Sequence, residues 1–444
     1  MRRRLTEETV LFFSVVKWTV LAAAVGAVAG LGTTLFLKAL DLALALQARH
    51  RDYFLLLPLA LPLVAWLGYR VAPKSDVHST DKVIEAIHGS APVGIGSLVK
   101  AFILPVLTIG AGGSAGKEAP CADVGAGAGS LIGDLLGFDA ADRRKLMICG
   151  VSAGFASVFG VPIAGAIFGV EVLFVGGILY DVLLPSFIAG ITACQVSLAL
   201  GVHYFSGPLA FVPAFSKAFF LKVIIAGVVF GLCSALFVEA GRVSRKWSSR
   251  LGMSLPVKAF FAGCALALLA LATSPAFLGL GLDTIQHALE GQGSGWYAPL
   301  LKTIATAITL GFGGIGGIIT PIFFVGATTG SALSGLLGTP PATLAAIGFV
   351  SLLAGAANTP ISASIMAIEL FGPAIAPYAA LSCVVSFLMT GHRSVFPSQV
   401  LTVRKSGSLE VELGKELGGA SATFAGRGKG ILSRLLRLVR RRQS

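Results

Sequence analysis

One glycine-rich segment occurs twice in this 444-residue chain, and only the first copy carries charge. Gly110–Pro120 reads GAGGSAGKEAP and Gly311–Pro321 reads GFGGIGGIITP, 201 positions apart, with Gly110/Gly311, Gly112/Gly313, Gly113/Gly314, Gly116/Gly317 and Pro120/Pro321 in register. The same offset continues through Val124/Val325, Gly125/Gly326, Ala126/Ala327, Gly129/Gly330 and Ser130/Ser331 to Leu135-Leu-Gly137 and Leu336-Leu-Gly338. Upstream, Asp81, Ala86, Gly89 and Lys100 face Asp283, Ala288, Gly291 and Lys302. Downstream, Pro162-Ile163, Ile167 and Glu171 face Pro360-Ile361, Ile365 and Glu369. A duplicated unit whose mates include Gly-Pro breaks points to a transport architecture with its site between the halves. The residue that breaks the symmetry is Glu118, opposite Ile319.

The duplicated unit belongs in a bilayer. Hydrophobic residues make up 55% and charged residues 12% of the chain, and the mean hydropathy is +0.86, far from soluble usage. Apolar runs at Val10–Leu46, Phe54–Val71, Phe102–Ile109, Ile178–Leu200, Phe219–Val238, Val257–Ala272 and Ala374–Met389 predict spans or near-spans. The first is too long for a signal peptide and reads as a tilted helix that stays. The expected organisation is a cytoplasmic N-terminus over 1–9 and a transmembrane domain over 10–402, followed by a basic cytoplasmic tail over 403–444. Within the transmembrane domain, repeat one lies at about 54–201 and repeat two at about 216–391.

The formal net charge is +13, with Arg2-Arg-Arg4 at one end and Arg434, Arg437 and Arg440-Arg-Arg442 at the other. Positive-inside topology accounts for these clusters better than nucleic-acid binding does, so both termini are expected in the cytoplasm of a multi-pass cell-membrane protein. The segment Gly430–Arg442 reads either as an interfacial helix or as a basic tail. The six cysteines are scattered without CxxC spacing, the histidines form no zinc-ligand set, and no cofactor is expected. Gly112-Gly-Ser-Ala-Gly-Lys117 falls short of a P-loop at Ala111 and Glu118, which leaves nucleotide binding without support.

Glycines clustered before Pro321 are expected to unwind a helix at membrane depth, where irregular backbone must be buried or line a watery cavity. A helix restarting near Ile318–Pro321 directs free N–H groups and its positive dipole end at the break, making an anion site from the amides of Ile318 and Ile319. In the other repeat the same place holds Lys117-Glu118, so the carboxylate is a tethered competitor for that site. Protonating it or swinging it away couples proton and anion binding. The alternative is that Glu118 caps the start of its own helix.

These residues resemble a known family. GGSAGKEAP is similar to the GxxGREGP signature of the CLC chloride channels and chloride/proton exchangers, with Lys117 for Arg and Ala119 for the second Gly. Gly317-Ile-Ile-Thr-Pro321 is similar to the family's GxFxP motif, and His78-Ser-Thr-Asp81 stands where the family carries GSGxP or GxGTD. The resemblance runs over about residues 10–402 and implies an all-α, inverted-repeat membrane homodimer. Each subunit would have its own pore, built from about eighteen helical segments whose broken helices meet at a central anion site; the CBS domains of some members are not expected.

Carried over by position, the resemblance makes Glu118 the gating glutamate and Ile318 and Ile319 amide ligands. Gly116, Lys117, Pro120, Gly317, Thr320 and Pro321 are the supporting motif residues. The serine ligand falls at His78 or Ser79, and the tyrosine ligand becomes Phe396, whose ring offers only an edge. Exchangers usually carry an inner proton-accepting acid where this chain has Val172, next to Glu171. The expectation is therefore transport of small anions, chloride first, through a channel-like pore. A proton-coupled chloride or fluoride antiporter is the alternative, and an integral-membrane enzyme using Glu118 and Asp123 is the different-class reading. The dimer surface is expected around Val161–Val175 and Pro360–Leu381.

Overall fold

The computed structural model describes residues 2–71, 79–89, 95–204, 207, 209, 211–214, 216–420 and 423–424. Its first half runs through α1 (Arg2–Ala48), α2 (Leu57–Val71), α3 (Ser79–Gly89), α4 (Ile95–Gly110), α5 (Glu118–Leu135), α6 (Ala140–Phe159), α7 (Pro162–Glu171) and α8 (Tyr180–Ala199). The second half answers with α9 (Lys217–Arg250), α10 (Leu255–Ala272), α11 (Leu282–Leu289), α12 (Ala298–Gly311), α13 (Ile319–Leu337), α14 (Pro341–Ala356), α15 (Pro360–Phe371) and α16 (Ala376–Thr390).

Packing repeats with the sequence. α5 lies on α6 as α13 lies on α14, α1 lies on α8 as α9 lies on α16, and α2 meets α10 across the halves. By this packing α1 is the counterpart of α9. Among the described residues seven helices are long and apolar enough to cross a membrane. The long apolar runs fold as α1, α2, α8, α9, α10 and α16, whereas α6, α7, α14 and α15 are shorter or more mixed in sequence and buried on most sides.

Glycine makes the buried helices meet backbone to backbone. A β-carbon on Gly125 would overlap the carbonyl of Gly150 and the reverse holds; the mates Gly326 and Gly348 repeat the contact. Gly129 and Gly330 press in the same way on the carbonyls of Leu146 and Leu344. Small residues let helices approach this closely where the solvent is lipid and packing replaces the hydrophobic effect.

The helix ends are satisfied reciprocally across the two halves. Glu171, the last residue of α7, accepts from Ile361 N at 3.0 Å and Ser362 N at 2.8 Å at the start of α15. Its mate Glu369, in α15, accepts from Ile163 N at 2.9 Å and Ala164 N at 2.8 Å at the start of α7. Pro162 and Pro360 open these helices where a missing N–H costs nothing. Glu171 and Glu369 are thus a symmetric capping pair.

After α16 the chain returns to the bundle. β2 (Val400–Leu401) pairs in parallel with β1 (Phe174–Val175), and β3 (Leu409–Glu410) pairs antiparallel with β4 (Thr423–Phe424). Buried Gln399 fixes the return: its amide nitrogen donates to Val172 O at 2.7 Å and Ala357 O at 2.8 Å, while its oxygen accepts from Asn358 Nδ2 and Ser394 Oγ. Asn358 sits in the left-handed region, φ 57°, a conformation its short polar side chain tolerates. The Lys405 ammonium donates to Asn358 Oδ1 at 2.6 Å and Phe387 O at 2.7 Å, and burial pushes it down to about 7.

Because Gly150 faces backbone rather than a flexible side chain, Gly150→Val is expected to cost at least the ~1–3 kcal/mol typical of overpacking. The thermal midpoint in detergent should fall sharply or the folded protein be lost, while Gly89→Ala, with open space at its β-carbon, should melt like the parent.

Candidate functional site

The repeated glycine loops break two helices at the same depth. α4 ends at Gly110 and α12 at Gly311, and the chain turns through Gly112 (φ +99°) and Gly313 (φ +106°), a region L side chains rarely enter. The freed amides are then paired across the halves. Ser114 N donates to Thr309 Oγ1 at 3.0 Å, and its mate Ile315 N donates to Thr108 Oγ1 at 3.2 Å. Each threonine hydroxyl also donates back to its own helix, Thr108 to Leu104 O and Thr309 to Ala305 O. Irregular backbone inside a membrane requires such partners.

At the centre the mates Gly116 and Gly317 exchange both backbone hydrogen bonds, each N to the other's O at 2.7 Å. An antiparallel bridge of this kind maps onto itself under a twofold rotation, which places the axis relating the halves between these two residues. α5 and α13 start immediately beyond it.

The Glu118 side chain, 2% exposed, crosses from the start of α5 to the start of α13. Its Oε1 accepts from Ile319 N at 2.5 Å, and its Oε2 accepts from Thr320 Oγ1 at 2.8 Å and Thr320 N at 3.3 Å. The carboxylate therefore caps the opposite repeat's helix. The amides on it are those of Ile319 and Thr320, one residue later than the Ile318 and Ile319 expected from the sequence. Ile318 is the N-cap and α13 begins at Ile319, so the carboxylate sits on the first two amides of the helix proper. Gly116 and Gly317 are small for a local reason: a β-carbon on either would overlap the carboxylate of Glu118.

Cavities flank this contact on both sides. One, of about 340 Å³, is lined by Lys38, Asp41, Lys117, Thr320, Phe323 and Phe349 among others. On the other side a space of about 20 Å³, room for about one water-sized particle, is bounded by Thr80, Ala119, Gly317, Ile318, Val395 and Phe396. The structure thus gathers Glu118, Gly116, Gly317, Ile318, Ile319, Thr320 and Phe396, with Lys117 facing the larger cavity. Pro120 and Pro321 lie buried in the first turns of α5 and α13.

His78 lies outside the described residues, and Ser79 is described only as the backbone start of α3. Their neighbour Thr80, buried, lines the small cavity together with Phe396; its place inside the His78-Ser-Thr-Asp81 motif was the available signal. Phe396 is held by a chain of contacts. Its N–H donates to Ser394 Oγ at 2.9 Å, and Asp81 accepts from Ser398 N and Oγ, both at 2.9 Å. Val172 is buried at the end of α7, its carbonyl taken by Gln399.

Residues 60–391 match the family model described as voltage gated chloride channel. The chain belongs to the CLC family. A CLC relative from Pseudomonas syringae pv. tomato, named a chloride/fluoride channel protein, is 37% identical over 412 residues, covering 89% of both chains. The crystal structure of a CLC-type fluoride/proton antiporter superposes with a TM-score of 0.84 at 26% identity, over 88% of this chain and 99% of that one. A slow cyanobacterial Cl⁻/H⁺ antiporter shares the fold, with TM-score 0.74, 21% identity, and 84% and 94% coverage. The inverted-repeat helical architecture, multi-pass membrane placement and anion transport follow from CLC membership.

In this CLC protein, Gly317→Ala is expected to drive the Glu118 carboxylate off the α13 terminus. Anion flux in proteoliposomes should then lose most of its pH dependence while the protein remains folded by size-exclusion chromatography; a parent-like pH profile would show that the carboxylate tolerates a methyl group there.

Proposed function

We propose that this protein exchanges a small halide for protons, with Glu118 as the moving group. The observation that carries the reading is the Glu118 carboxylate seated on the α13 N-terminus between two cavities. A helix N-terminus binds one anion at a time, so the carboxylate and a diffusible halide compete for Ile319 N, Thr320 N and the Thr320 hydroxyl. Protonation weakens the carboxyl as an acceptor and lowers its cost in the apolar surroundings, letting a halide take its place. Return of the ionised carboxylate expels the halide. Because one site holds either group, proton uptake and anion binding are linked.

The sequence taken alone favoured channel-like conduction, because Val172 stands where exchangers usually carry an inner acid. The relatives support the antiporter alternative instead: a 26%-identical protein whose solved structure is titled a fluoride/proton antiporter shares this architecture over nearly its whole length. On this reading the inner proton route does not run through Val172. Fluoride stands beside chloride as a substrate, in keeping with the compact space at Phe396 and Thr80 and with a 37%-identical relative named for both ions. The positive-inside rule puts the face formed by residues 392–420 in the cytoplasm with both termini.

The deciding experiment follows internal pH in proteoliposomes under an outward fluoride or chloride gradient with the potential clamped near zero. Uphill proton movement is expected from the parent, faster as pH falls because more Glu118 is protonated, and absent from Glu118→Gln with anion flux retained. Anion flux without proton movement in the parent would return the reading to a channel.

The assembly read from the CLC resemblance is a homodimer through α7, α15 and α16. On these helices Ile167 is buried within one subunit, whereas Ile163, Ile361 and Ile368 present apolar surface. Ile361→Glu with Ile368→Glu is expected to halve the mass of the detergent-solubilised particle by light scattering. An unchanged mass would move the interface elsewhere.

A further inference from the structure

No acid stands at Val172, but one face of α3 carries two, Asp81 and Glu85. They lie one helical turn apart, where like charges repel and cost helix stability, so the pair is not explained by folding. Glu85 is exposed and Asp81 is half-buried. Asp81 reaches the 20 Å³ space that also touches Ala119, Gly317 and Phe396. Gly317 is the residue whose added β-carbon would overlap the Glu118 carboxylate, so that carboxylate lies just behind this wall of the space. A buried water needs about two to four polar partners, and Thr80, Asp81 and Arg245 offer a hydroxyl, a carboxylate and a guanidinium around the space. Ser398 donates to Asp81 through its N–H and its hydroxyl, each at 2.9 Å, and Arg245 of α9 attracts it. Of the other helices packed on α3, α5 carries Glu118 and Asp123, and α6 carries Arg144, which acts on His88 about two turns beyond Asp81.

Resting on the exchange reading above, we infer that Glu85 and Asp81 form the inner proton relay of this protein, along α3 and not through the Val172 position. A proton from cytoplasmic water joins the Glu85 carboxylate and passes one turn along α3 to Asp81, leaving Glu85 ionised again. Asp81 hands it to a water in the small space, and that water gives a proton to Glu118 when the carboxylate swings toward Gly317. Asp81 and the water end as they began, and one proton has moved from the cytoplasm to Glu118. Arg245 and Ser398 favour the ionised form of Asp81, while its burial and Glu85 favour the protonated form. Opposed pulls suit a group that has to both take and release a proton. The space holds about one small particle, a halide or the relay water. Proton and anion therefore take turns in it, as exchange demands.

The test is the proton-to-anion ratio of the full chain in proteoliposomes of defined orientation, with internal pH and halide flux followed together. Asp81→Asn keeps the side chain's shape and an acceptor for Ser398 but removes the carboxylate. Its proton flux is expected to fall about a hundredfold, the low end of what a positioned acid–base group supplies, while halide continues to move uncoupled. Asp81→Glu should restore part of the coupling. Glu85→Gln, at an exposed position, should slow proton flux and flatten its dependence on cytoplasmic pH, leaving the dependence on external pH as in the parent. An Asp81 that serves only the start of α3, where a carboxylate suits the helix dipole, would instead lower the melting midpoint at an unchanged ratio. If Asp81→Asn does not fold because Arg245 loses its partner charge, Glu85→Gln carries the test. A parent-like ratio in either variant, or halide flux lost in step with proton flux, would overturn the relay and leave the exchange reading standing. A parent protein that moves halide without driving protons uphill would overturn the exchange reading itself, and the relay with it.

Discussion

A carboxylate buried at the centre of an apolar bundle has to find donors, and in this protein it finds them on the first turn of a helix from the other half of the chain. That single contact, Glu118 on Ile319 and Thr320, dictates much around it. It needs α5 and α13 to begin at the same depth, which requires two helices to break there. The breaks require glycines with positive φ, and the carboxylate requires that Gly116 and Gly317 carry no side chain. The strength of a charge-assisted bond in low dielectric makes the contact stable.

Duplication solves the harder problem of exposing backbone inside a membrane. Each broken loop leaves amides that the lipid cannot satisfy, and the other copy supplies the acceptors: Thr108 serves Ile315, Thr309 serves Ser114, and Gly116 and Gly317 serve each other. Glu171 and Glu369 do the same for the starts of α15 and α7. Symmetry holds wherever the task is structural. It fails at Glu118 and Ile319, because only one member of a mated pair can occupy a site on the axis.

The segment after α16 completes the inner wall without belonging to the repeat. Gln399, Asn358 and Lys405 tie it to the ends of α7, α14 and α16, and Asp81 ties it to α3. Phe396 is thereby held in a wall built from widely separated parts of the chain, with Thr80 and Arg245 among its neighbours around one small space.

How much of this was legible beforehand differs from residue to residue. The register of the two glycine segments, the membrane class and the oddity of Glu118 are properties of the string of residues, since periodic hydropathy and glycine-proline breaks act locally. So is the close packing along Gly125–Gly129, because only glycine lets backbones touch. That the carboxylate takes the amides of Ile319 and Thr320 is less legible, since it depends on where the helix starts and how far the side chain reaches, not on composition. Thr80 and Arg245 were passed over for a related reason: α3 and α9 are far apart in sequence, and nothing local says that both face Phe396. The sequence by itself determined which residues carry charge, which helices break, and that the two halves are copies. Whether Glu118 caps its own helix or the other repeat's, and which residues share a cavity, were decided only by the tertiary structure, because those contacts form between segments whose separation along the chain carries no information about their distance in space.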